Sequence, residues 1–240
     1  MGYIRLGIID GMIARFLGSA MVMTSAISAS LLTAAPSASA EPCPDVEVVY
    51  ARGTGEEGLG ATGQAFVDTL RPRIGAQSMG VYSVNYPASE EWATGMDGIR
   101  DAGAHVNSMA SACPKTKMVL SGFSQGAAVM GFVTSAKVPD GVDPATVPKP
   151  LDPAVAQHVS SVVLFGTPNT RAMEFLGQPQ VAIGPLYQAK TLKICATDDP
   201  VCSEGMNFAA HNSYADNAAA IDQGAAFAAA SLGGSAPPPP

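Results

Sequence analysis

The sequence predicts an α/β fold built on a mostly parallel sheet. Three observations carry this. Five short apolar runs recur along the chain, several of them continuous β-branched or aliphatic stretches, as strands buried on both faces require. Stretches with apolar residues at helical spacing lie between them. The chain has 240 residues, 47% hydrophobic and 14% charged, enough for one compact domain with a sizeable core.

Strands are expected at residues 46–50, 81–86, 117–121, 159–165 and 191–195. The first helix, over 64–73, gathers Phe66, Val67 and Leu70 on one side. The second, over 92–112, carries Met96, Ile99, Gly103, Val106 and Met109 at helical spacing. Residues 125–135 are small and apolar, which suits a helix pressed against a sheet. Residues 212–230 are Ala-rich and form a closing helix. Residues 138–153 hold five prolines with several Asp and Gly and read as a loop. This loop follows a helix that returns the chain to the N-terminal edge of the sheet. Such sheets bind ligands at the other edge, so a structural role is expected of it.

The first forty residues read as a separate piece. Arg5 and Arg15 precede an apolar run over residues 16–32, which is short for a bilayer span. The segment ends in Ala38-Ser39-Ala40, a pattern that suits signal peptidase, with cleavage before Glu41. Met12 is an alternative start, directly before the apolar run. Residues 1–40 are therefore expected to be a removed signal peptide and 41–232 the functional domain. Residues 233–240, ending in four prolines, are expected to form a flexible tail. The product is an exported chain with no lasting membrane insertion.

Composition excludes several function classes. A chain this apolar, with a net charge of only -7, is not disordered. The acidic balance leaves no basic face for nucleic acid. The four cysteines all follow residue 40 and are too few for a disulfide-dominated scaffold. Export puts them in oxidising conditions, so two disulfides are expected, in one of three pairings. A zinc site is disfavoured because no C-x-x-C pair or nearby His accompanies them.

The chemistry concentrates around Gly122-Phe123-Ser124-Gln125-Gly126. This is G-x-S-x-G between an apolar strand and a small-residue helix, the context in which the pattern presents a nucleophile. The turn is tight enough that side chains at Gly122 and Gly126 would strike neighbouring backbone. It aims the Ser124 hydroxyl outward at a helix N-terminus, where a developing oxyanion is favoured.

A serine hydroxyl needs a base. His105 lies inside a helix and reads as a helix-surface residue. His158 precedes a strand, at the wrong edge of the sheet. His211 follows the last strand, as the order Ser…Asp/Glu…His demands. Asp198 and Asp199 both qualify as the acid, and two adjacent Asp before Pro200 also read as a turn cap. For the oxyanion, the backbone N–H of Gln125 is one donor. The second is expected from the loop after the first strand, Tyr50-Ala51-Arg52-Gly53-Thr54-Gly55, with Thr54 as the candidate. Arg52 reads as a structural ion pair rather than an anion clamp.

These residues resemble the cutinases, in particular the secreted cutinase-like esterases of actinobacteria. The matching pieces are Cys43, Ala51-Arg52-Gly53-Thr54, Asn85-Tyr86-Pro87, Cys113-Pro114 and Gly122-Phe123-Ser124-Gln125-Gly126-Ala127. Asp199-Pro200-Val201-Cys202 and His211 with Ser213-Tyr214 complete the set. The resemblance implies an α/β-hydrolase-like three-layer sandwich with a five-stranded sheet and no large lid. It pairs Cys43 with Cys113 and Cys195 with Cys202. It matches Ser124, Asp199 and His211 to the catalytic triad, and Thr54 and Gln125 to the oxyanion hole. Fungal members carry Ser where this chain has Thr54, which keeps the hydroxyl.

The expected activity is hydrolysis of cutin-type polyester, short to medium acyl esters or lipids by a secreted monomer, with no metal or cofactor. The alternatives are a non-catalytic surface protein on the same fold and an acyltransferase. Met206 and Phe208 are the candidate walls of the acyl groove. Phe175, Leu176, Val181, Ile183 and Leu186, in the segment after the fourth strand, line the groove or pack the core beneath it.

Overall fold

The computed structural model describes residues 42–233. The expected signal peptide and the prolines of the tail lie outside them. Five strands form one sheet: β1 (Val46–Ala51), β2 (Met79–Ser83), β3 (Lys117–Phe123), β4 (Val159–Phe165) and β5 (Thr191–Ile194). They lie in the order β2-β1-β3-β4-β5, and every pairing is parallel. The chain runs outward from β1 to β2, then crosses back to place β3 on the other side of β1. That reversal opens a crevice at the C-terminal ends of β1 and β3, the place where such sheets bind ligands.

Helices cover both faces, because parallel strands bury both. On one face, α1 (Gly60–Leu70) and α7 (Ala218–Ser231) pack against Val46, Val48 and Tyr50 of β1. On the other, α2 (Gly95–Ala112) and α3 (Gln125–Val133) pack against Val49 and Ala51. The period of two along β1 thus divides the core into two clusters. Three short helices were not foreseen: α4 (Thr170–Phe175), α5 (Pro185–Gln188) and α6 (Phe208–His211).

The boundaries differ from expectation for local reasons. β2 ends at Ser83 rather than Tyr86, because the Val84 carbonyl is taken by Arg52 and the Asn85 N–H by the Asp101 carboxylate. Helix α1 becomes 3-10 at Arg71–Ile74, where Pro72 has no N–H to continue the ladder. The closing helix begins at Ala218 rather than Asn212, because the Asn217 side chain accepts from Ala220 N–H and caps it. The chain before it turns inward and buries Tyr214.

The loop over residues 138–153 leaves and rejoins the sheet at the expected edge. Its middle, however, lies along α2 and α3, where Thr146 accepts from Arg100 and Leu151 reaches Gly103. Among the described residues no helix is long and apolar enough to cross a membrane.

The cysteines pair Cys43–Cys113 and Cys195–Cys202. The first bond ties the entry of β1 to the end of α2 across 70 residues. Replacing both partners, Cys43→Ala with Cys113→Ala, is expected to cost about 4 kcal/mol in the chain-entropy account. Urea denaturation of the oxidised protein and the double variant measures it.

Candidate active site

The strand β3 delivers Ser124 to the crevice beside β1. Ser124 has φ 53° and ψ -117°, a strained backbone for a residue with a side chain. The two flanking glycines make the turn possible. A Cβ on Gly122 would lie 2.5 Å from the Gly126 carbonyl, and one on Gly126 would lie 2.0 Å from the Ala51 carbonyl oxygen. The N-terminus of α3 therefore presses directly on the end of β1. Ser124 N–H donates to Phe165 O at 2.9 Å, which locks the turn to β4.

Three of the expected residues meet here. His211 Nε2 lies 2.9 Å from Ser124 Oγ, and its Nδ1 lies 2.9 Å from Asp199 Oδ2. All three are buried, Asp199 completely. His211 ends α6, its ring stacked on Phe123 at 5.0 Å. Asp199 sits in the loop closed by Cys195–Cys202. Its neighbour Asp198 is exposed at φ 65°, and its carbonyl accepts from Asn207 N–H. Of the two acids, Asp199 lies against the imidazole and Asp198 makes the turn.

The environment of Asp199 sets its charge. Burial pushes its pKa up, but hydrogen bonds from His211, the Val201 N–H and the Tyr214 hydroxyl, with the pull of His211, bring it below the ordinary aspartate range. Tyr214 had no assigned role in the sequence reading. Its hydroxyl donates to Asp199 Oδ2 at 2.8 Å and accepts from Ala196 N–H at 2.8 Å. Burial, then donation to the carboxylate, hold the phenol well above its usual value. In the sequence it stood only as a matching piece of the family resemblance, beside His211 and Ser213. Arg171 ties this loop to the segment after it, through the carbonyls of Pro200, Ser203 and Gly205.

The loop after β1 stands opposite. Arg52 is neither an ion pair nor an anion clamp. Its guanidinium donates to the carbonyls of Glu56, Val84 and Tyr86 and lies 5.0 Å from the Tyr86 ring. Glu56, missed in the sequence, accepts from Gly53 N–H at 2.7 Å and Ala61 N–H at 3.0 Å, and so shapes the turn that presents Thr54. Among the described residues, neither Thr54 N–H nor Gln125 N–H donates to another protein group. The Gln125 side chain donates to Ser89 O and holds the following loop.

The other candidates separate. His105 is not a free surface residue: it pairs with Glu47 at 3.0 Å and stacks on Tyr82. His158 lies beside Pro114 O, away from Ser124. Val181 and Ile183 pack on α3 near Gly131. Leu176 is half-buried, whereas Phe175 and Leu186 are exposed. Met206 and Phe208 are 76% and 64% exposed, on the segment that leads into His211.

The family model described as Cutinase matches residues 42–232. The chain belongs to the cutinase family. A probable carboxylesterase of Mycobacterium tuberculosis, Culp5, is 54% identical over 168 residues, 70% of this chain and 95% of its own length. A phospholipase of the same organism, Culp4, is 43% identical over 206 residues, 82% of this chain and 87% of its own. Among solved structures, a Trichoderma reesei cutinase bound to a phosphonate inhibitor superimposes with a TM-score of 0.60 at 32% identity. The match covers 80% of this chain and 78% of that one. An acetyl xylan esterase superimposes with a TM-score of 0.63 at 25% identity, covering 80% of this chain and all of that one. Like these cutinase relatives, the protein is a carboxylic ester hydrolase.

The lowered pKa of Asp199 makes a prediction for acid stability. A carboxyl whose folded pKa is depressed stabilises the fold fully above its unfolded value. That contribution disappears as pH falls through the folded value. Melting temperatures of the native protein are therefore expected to drop more steeply below about pH 4 than those of Asp199→Asn. Thermal melts of both between about pH 6 and 2.5 read the difference.

Proposed function

We propose that the protein is a secreted serine esterase working through Ser124, His211 and Asp199. The observation that carries this is the continuous chain of two 2.9 Å contacts from Asp199 through His211 to the Ser124 hydroxyl. In this reading His211 takes the Ser124 proton as Ser124 attacks the ester carbonyl. Asp199 holds the imidazole with Nδ1 as donor, and stabilises it once it is protonated. The free N–H groups of Thr54 and Gln125 hold the oxyanion, helped by the N-terminus of α3. The alcohol leaves with a proton from His211, and water, activated by the same base, releases the acid. The residues supply every step without a metal or cofactor.

Met206 and Phe208, on the segment that leads into His211, offer exposed apolar surface. That surface suits the acyl chain of a carboxylic ester, from short soluble esters to lipid or polyester surfaces. The names of the relatives, carboxylesterase, phospholipase, cutinase and acetyl xylan esterase, support the same class. Residues 1–40 act as the export signal, 41–232 as the catalytic domain and 233–240 as its tail. Two disulfides fit an extracellular site of action.

Release of p-nitrophenol from esters of increasing acyl length tests the reading. Ser124→Ala is expected to lower kcat by on the order of 10⁶-fold with the melting temperature retained. Residual turnover near that of the native protein would reject Ser124 as the nucleophile. Tyr214→Phe keeps the ring that packs on Phe123 and Phe165 but removes the bond to Asp199. It is expected to lower kcat/KM about tenfold. Because a charged hydrogen bond is lost, the pH profile should change shape as well as height, which packing damage alone would not do.

A further inference from the structure

One cavity among the described residues lies away from Ser124. It lies between α2, α3 and the loop over residues 138–151, with a volume of about 730 Å³. Small-ligand sites typically span roughly 300–1,000 Å³. None of Ser124, Asp199 and His211 lines it. Its apolar walls include Trp92, Met96, Ile99, Phe132, Val147 and Leu151, each only half-buried. Side chains of this kind, left half-covered around a space, gain by contact with an apolar ligand.

The polar groups give that ligand a second feature. The chain carries 20 acidic and 13 basic residues, yet the cavity is lined by Arg100, Lys137 and Lys149 and by no carboxylate. Arg100 is paired with Asp97 and Lys137 with Asp140. Exposed Lys149 has no ion-pair partner among the described residues. Gln125 lines the same cavity and is almost wholly buried. Its Nε2 donates to Ser89 O, and its Oε1 has no partner among the described residues.

We infer that this cavity binds a single-chain fatty carboxylate, its chain between α2 and α3 and its head at Lys149. Apolar walls with a cationic border and no anion fit an amphiphile of that charge and reject a cationic one. None of Ser124, Asp199 and His211 lines the cavity, so binding needs no turnover.

Titration calorimetry of linear carboxylates from eight to sixteen carbons, below their micelle concentrations, into the full oxidised chain tests it. One molecule is expected to bind per chain. Affinity should rise about threefold to fourfold for each methylene until the cavity is filled. Gly103→Phe places a ring where a Cβ meets only Leu151, at 4.0 Å, and should abolish binding, with circular dichroism confirming the fold. Lys149→Glu, on an exposed side chain, should weaken dodecanoate about tenfold and leave dodecanol unchanged. Met206→Ser with Phe208→Ser should leave the affinity as it is. No binding would overturn the assignment. So would binding that survives Gly103→Phe and Lys149→Glu, or binding that the Met206/Phe208 variant removes.

Discussion

The contact between Gly126 and the carbonyls of Ala51 and Arg52 is the constraint on which the site depends. A helix N-terminus cannot ordinarily lie against the end of a neighbouring strand, because a side chain stands between them. Here a Cβ would sit 2.0 Å from one carbonyl and 2.4 Å from the next. Removing it lets α3 start within reach of the loop after β1. The Gln125 N–H at the start of α3 and the Thr54 N–H in that loop are both left without a protein acceptor among the described residues. The cost appears at Ser124, whose backbone takes a positive φ that only a rigid surround sustains. The hydrogen bond from Ser124 N–H to Phe165 O, and the buried strands on either side, are that surround.

The acid side of the site is built by a different principle. Asp199 lies in a loop, where backbone is ordinarily mobile. Three restraints act on it together. The Cys195–Cys202 bond closes the loop over seven residues, Arg171 ties one carbonyl in it and two just after it, and Tyr214 holds both the carboxylate and the Ala196 N–H. Burial alone would favour the neutral acid; the donors reverse that preference and keep the carboxylate charged. A neutral acid would hold the imidazole less firmly, so these neighbours bear on its charge as well as its position.

Much of this was legible in the residues, and the reasons are local. Buried parallel strands read as apolar runs, so all five were found, and the glycines of the turn announced their own steric purpose. The Asp198–Asp199 ambiguity could not be settled by residue type. It depends on a positive φ at the first and a bond from a tyrosine to the second. Glu56 was missed, and Tyr214 matched without a role, for one reason: each acts on backbone or carboxylate groups brought near by the fold. Arg52 was misjudged in the same way, since a guanidinium that spends its donors on carbonyls leaves no acidic partner to be seen in sequence. The end of β2 was misplaced because Arg52 and Asp101 take the backbone groups that would have extended it.

The same close approach that makes the ester site also accounts for the cavity beside it. A helix pressed to the sheet must be small, and α3 is mostly Gly, Ala and Val with one Phe and one Met. At Gly131 it meets Val181 so tightly that a Cβ would fall 2.3 Å from that side chain. Small residues bring α3 inward but give its outer side little bulk with which to meet α2. The loop over residues 138–151 spans the gap, and with prolines at 139, 144, 148 and 150 it cannot fold into it as a helix. The space is left lined by half-buried apolar groups instead of filled by them. Gln125 links the two, since it directly follows Ser124 in the chain and its side chain lines the cavity. Whatever occupies the cavity therefore lies one residue from the nucleophile, against a side chain that also anchors the Ser89 loop.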